Sequence, residues 1–139
     1  MKSIVVEGHV DYEILRILFP DIQKNKIAIR PAQGFSGVFA VSKTLADYGF
    51  DVLAILDTDT HIPGNDNKKV MNRISDLGLI GRDINIVWMD SCLEDVLRKV
   101  DSNINLGYKG VVLQQSIHKN RDGILKLNEF KAIQEFINK

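Results

Sequence analysis

The residues of this 139-residue chain best suited to chemistry are carboxylates that stand where apolar runs end. Ser3-Ile4-Val5-Val6 runs into Glu7-Gly8. Val52-Leu53-Ala54-Ile55-Leu56 runs into Asp57-Thr58-Asp59, and Ile84-Asn85-Ile86-Val87-Trp88 into Met89-Asp90-Ser91, ahead of Leu93-Glu94-Asp95. Asp57 and Asp59 are two apart, so in extended chain they point the same way. Both can then approach one hard cation through oxygen. Mg²⁺ takes one or two carboxylates and fills its shell with water and phosphate oxygens. Aspartate also starts turns and caps helices, so an Asp-x-Asp alone says little. Glu7 is more telling, because glutamate is neither a good turn residue nor a good strand residue. Gly8 behind it lets a backbone or a ligand come close.

Elements of α/β type must position these acids. Residues 3–6 read as a strand, and Val10, Ile14, Ile17 and Leu18 form one helical stripe closed by Pro20. A second strand is expected over 27–30, and a helix over 36–48 ended by Gly49. The third strand, 51–56, is apolar without alternation at its centre, as in a parallel strand covered on both faces. A loop over 60–67 leads to a helix over 68–77. The fourth strand covers 84–88 and a short helix 92–100. Residues 111–114 are a candidate fifth strand, and 128–138 a final helix carrying Phe130, Ile133, Phe136 and Ile137. Residues 103–109 and 118–123 read as mobile loops. Strands alternating with helices imply βαβ units: a Rossmann-like, mainly parallel sheet of about four strands with helices on both faces. The whole chain, 1–139, reads as one domain with a core at about 3–100 and an extension over 101–139. In open sheets of this kind ligands sit at the carboxyl ends of the strands, where the acids fall.

Val5-Val6-Glu7-Gly8-His9-Val10-Asp11, followed by Ile55-Leu56-Asp57-Thr58-Asp59, resembles the two motifs of the Toprim domain. Topoisomerases, bacterial primases, small ribosomal-RNA maturases and the overcoming-lysogenization-defect nucleases share that domain. The resemblance covers about residues 3–100, with both motifs in order and spacing. It implies Mg²⁺ (or Mn²⁺) held by Asp57 and Asp59, with Glu7 as a metal ligand or general acid/base in phosphoryl transfer. In the overcoming-lysogenization-defect nucleases further acids help hold a second metal, and Glu94 is the position that looks most similar. Acids in a helix's first turn also favour its dipole, which is the other account of Glu94. A single cysteine leaves no primase-type zinc ribbon, and the length leaves no tyrosine-bearing topoisomerase domain. A stand-alone module is therefore expected, nearest the nucleases and maturases.

The expected function is Mg-dependent phosphodiester chemistry on nucleic acid, DNA or RNA. Lys68, Lys69 and Arg73 are the nearest candidates for phosphate contacts. The alternative is a non-hydrolytic module that binds nucleic acid or nucleotide phosphate. A third reading is a haloacid-dehalogenase-like phosphatase, since Asp57-Thr58-Asp59-Thr60 is similar to that family's opening motif. There the motif usually ends the first strand, whereas here it ends the third, and His61 stands where Thr or Val is usual.

Composition narrows the classes further. Eighteen basic residues balance 18 acidic ones, so bulk charge alone would not hold duplex DNA. The charge is uneven: residues 1–66 carry 6 basic and 9 acidic side chains, and residues 109–139 carry 6 and 3. Cys92 alone excludes a disulfide framework within the chain. It opens a short helix, where a lowered thiol pKa is conceivable; a buried, inert thiol is the simpler account. No apolar run approaches a membrane span and the start is not a signal peptide, so a cytoplasmic protein without membrane contact is expected.

Overall fold

The computed structural model describes residues 1–58, 72, 84–90, 92–104 and 111–139. Four parallel strands form one sheet: β1 (Lys2–Val6), β2 (Ala28–Pro31), β3 (Asp51–Asp57) and β4 (Ile84–Met89) in the order β2-β1-β3-β4. Six helices accompany them among the described residues: α1 (His9–Leu18), α2 (Asp21–Lys24), α3 (Gly34–Asp47), α4 (Leu93–Arg98), α5 (Val111–Leu125) and α6 (Asn128–Asn138). The expected Rossmann-like α/β architecture is thus present.

Alternation along the strands divides the apolar residues between two faces. Ile4, Val6, Leu53, Ile55, Val87 and Met89 face a core shared with α1, α4, α5 and α6. Val5, Val52, Ala54 and Leu56 face the opposite way, against Val38 and Phe39 of α3. This two-sided burial explains why the centre of β3 is apolar without a break. Helices α5 and α6 belong to the first core: Leu113, Ile117, Ile124, Phe130 and Ile133 are all within 2% of full burial. Lys2 extends from β1 to the last turn of α6, where its Nζ donates to the carbonyls of Phe136 at 3.0 Å and Ile137 at 3.4 Å.

The helix ends follow local chemistry. α1 stops before Pro20, and α3 stops at Gly49, whose φ of +87° is left-handed backbone that favours glycine. The short α2 was not expected, although Pro20-Asp21 is a helix-start signal. Two expectations fail. Residues 111–114 are the first turn of α5 rather than a fifth strand, and 118–123 lie inside the same helix rather than in a loop. Leu113, Ile117 and Ile124 recur at helical spacing, and their burial outweighs the local strand preference of Val111-Val112. Gly123 survives mid-helix because α5 passes close to the turn after α4: a Cβ there would sit 2.8 Å from Val100 Cγ1. The expected loop at 60–67 and helix at 68–77 lie outside the described residues, except Asn72, which is helical and exposed.

Candidate functional site

The order β2-β1-β3-β4 places the reversal of strand order between β1 and β3. From β1 the chain crosses by α1 on one face to β2, then returns by α3 on the other face to β3. The carboxyl ends of β1 and β3 therefore flank a crevice, the usual position of a ligand in such sheets. Glu7 follows β1, and Asp57 is the last residue of β3.

These two acids meet. Glu7 Oε2 accepts a hydrogen bond from the Asp57 backbone N–H at 2.7 Å, across 50 residues of sequence. Asp57 shares the parity of Leu53 and Ile55, so its side chain leaves the strand toward the α4 face. There its Oδ1 accepts from the Leu93 N–H at 3.2 Å, capping the first turn of α4 from another element. Both acids are half-buried.

A third acid joins them that sequence reasoning did not single out. Asp11 occupies the first turn of α1, and its Oδ2 accepts from the Gly8 N–H at 3.3 Å. Burial, then the negative charge of Glu7 and with it that of Glu94, push its carboxyl up to about 6, against the opposing pull of the Gly8 and Glu7 amides. The signal in the sequence was the three-residue spacing from Gly8 to Asp11, the reciprocal half of a capping box. Glu94, half-buried in the first turn of α4, makes its charge felt at both Asp11 and Cys92. It therefore lies on the same sheet edge, and its position also suits the α4 dipole.

Cys92 is the N-cap residue of α4 and half-buried. Burial first, then the carboxylates of Asp95, Asp57 and Glu94, raise its thiol above the ordinary range despite the Asp95 amide. The start of α4 therefore does not lower this thiol toward the thiolate that a nucleophile needs. Gly8 has extended backbone at φ −152°, and among the described residues a Cβ there would meet nothing within 4 Å.

The structure thus brings Glu7, Asp11, Asp57 and Glu94 to one edge. Asp59, Lys68, Lys69, Arg73 and His61 lie outside the described residues. Among the described residues no three His, Cys, Asp or Glu side chains stand close enough together to hold a metal ion by themselves, and no helix is long and apolar enough to cross a membrane. The donors that do converge are hard carboxylate oxygens, of which Mg²⁺ needs one or two. Set against protein-family models, curated proteins and solved structures, the chain matches none of them.

Proposed function

We propose that this chain is a Toprim-like, Mg-dependent nuclease that cleaves phosphodiester bonds of nucleic acid. One observation carries the reading: the Glu7 carboxylate accepts from the backbone N–H of Asp57, which draws two acid-bearing strand ends together at the crevice between β1 and β3. Asp57 and Asp59 would hold Mg²⁺ or Mn²⁺, with Glu94 as a further ligand from α4. When bound, the ion supplies Lewis acidity to a phosphoryl oxygen and neutralises developing charge. Glu7 would hold a metal or move a proton to or from the attacking or leaving oxygen. The Glu7–Asp57 and Asp57–Leu93 bonds fix both side chains before substrate arrives, which spares the cost of ordering them at the moment of reaction. Lys68, Lys69 and Arg73 would take the flanking phosphates.

The test is incubation with plasmid, single-stranded DNA and structured RNA in Mg²⁺ or Mn²⁺, beside the Asp57→Asn/Asp59→Asn variant. The wild type cuts at least one substrate and the variant cuts none. A second reading is favoured by how the carboxylates are used: one oxygen each of Glu7 and Asp57 is committed to a backbone amide. A non-hydrolytic module that binds nucleic acid or nucleotide phosphate needs them only for that scaffold. If neither protein cuts any substrate while both bind nucleic acid equally, this second reading replaces the first.

A further inference from the structure

At the far end of α1, away from the carboxylates, the chain forms a second concave site. A cavity of about 380 Å³ lies between α1, α2 and α5, within the roughly 300–1,000 Å³ span of small-molecule sites. Ile17 and Pro20 supply apolar surface, while Arg16, Gln23, Gln114 and His118 supply polar groups from three different helices. Arg16 is exposed and makes no ion pair among the described residues; its guanidinium lies 5.4 Å from the Tyr12 ring centroid, which orients it. The nearby Arg121 is committed elsewhere, donating to the Leu18 carbonyl at 3.2 Å where α1 ends. Gln114 and His118 are one turn apart on α5 and so lie on the same side of that helix.

This set of groups has a chemical counterpart. A guanidinium and an imidazole on the wall of one cavity suit a phosphate, because Arg donates in a fork matched to its oxygens. Two primary amides, each both donor and acceptor, suit the mixed edge of a nucleobase. Apolar side chains accept the face of a flat ring, and Glu13, also on the wall, can accept from ribose hydroxyls. We propose that the α1/α2/α5 cavity binds one nucleotide, its phosphate on Arg16 and His118 and its base against Gln23 and Gln114. The proposal does not rest on the chemistry of the carboxylate edge. The nucleotide is either free or the 5′-phosphorylated end of a strand; both present the same groups.

The experiment is calorimetric titration of the full chain with adenosine 5′-monophosphate, adenosine, inorganic phosphate and a 5′-phosphorylated ribopentamer, followed by amide chemical shifts. The monophosphate is expected to bind saturably and to move the Ile17, Gln23 and Gln114 amides. Arg16→Ala and Gln114→Ala should each weaken it about tenfold, the loss of one good polar contact. Arg16→Lys should recover only part of the loss, and Asp57→Asn should bind as the wild type does. Tighter binding of the pentamer that Arg16→Ala weakens assigns the site to a strand end, and equal or weaker binding to a free nucleotide. Arg16 is exposed, so circular dichroism should show the variants folded. The proposal is overturned if neither nucleotide probe saturates at millimolar concentration, or if adenosine binds as tightly as its monophosphate. It is equally overturned if Asp57→Asn abolishes binding while Arg16→Ala retains it. Failure here leaves the cleavage assay untouched, and failure of cleavage leaves this titration to be read on its own.

Discussion

Asp11 offers a measurement of the electrostatics at the strand ends before any substrate is known. Its carboxyl is raised from 3.8 to about 6, chiefly by burial and by Glu7. A group that holds its proton more tightly when folded stabilises the fold as pH falls through its folded pKa, and the gain is complete below its unfolded pKa. Above about pH 6 the ionised side chain therefore costs stability. Two pH units at 1.36 kcal/mol each set that cost at about 3 kcal/mol as an upper bound. Asp11→Asn removes the charge yet keeps an oxygen that can accept from the Gly8 N–H. Urea unfolding in EDTA should find the variant more stable than the wild type at pH 8, by up to about 3 kcal/mol. The advantage should shrink between pH 6 and 4 and vanish below. Millimolar Mg²⁺ should narrow the difference at pH 8, since a cation offsets the repulsion that raises the pKa. A stability difference that is flat across this pH range, or a variant weaker at pH 8, refutes the reasoning.

Other perturbations test separate parts of the molecule. Mg²⁺ or Mn²⁺ should raise the melting temperature by mass action, and Asp59→Asn should abolish most of the shift; an unchanged wild-type melt with no calorimetric heat would leave the acids as structural residues. Glu94→Gln should leave folding nearly intact but reduce cleavage by orders of magnitude, whereas cleavage at the wild-type rate would make Glu94 only a complement to the α4 dipole. Gly123→Ala should cost about 1–3 kcal/mol by chemical denaturation, because its Cβ would meet Val100 at 2.8 Å, and Val100→Ala should restore most of the loss. Ser42 is fully buried in α3 with no partner for its hydroxyl among the described residues, so Ser42→Ala should match or exceed wild-type stability by up to about 1 kcal/mol.

The parts of the molecule that depend on nearby residues were readable without coordinates. The four strands follow from short β-branched runs, and α6 from the stripe of Phe130, Ile133, Phe136 and Ile137, whose bounds coincide with the expected ones. The reading failed where distant packing outweighed local preference. Val111-Val112-Leu113 is strand-like over three residues, yet Leu113 shares a core with Ile117 and Ile124, and only the longer stripe reveals the helix. Gly123 read as a loop marker because its reason for being small, the approach of Val100, is contributed from 23 positions away. At the strand-end edge, the ends of the apolar runs singled out Glu7 and Asp57, and the family resemblance singled out Glu94. Neither singled out Asp11, which lies in a helix and joins the edge only once α1 starts against the end of β1. The capping of α4 by Asp57 needs the sheet order and so was beyond any spacing argument.

That chain of contacts, Glu7 to the Asp57 amide and Asp57 to the Leu93 amide, has a spectroscopic consequence. Two backbone protons use carboxylate oxygens as their acceptors, and an amide proton so bonded resonates according to the charge on its acceptor. The Asp57 amide signal thus reports the ionisation of Glu7, and the Leu93 signal that of Asp57. A cation that draws on either carboxylate must alter the matching resonance. The protein therefore carries two built-in probes, each assigned to one acid, through which occupancy of the strand-end crevice can be followed with no label, no substrate and no turnover.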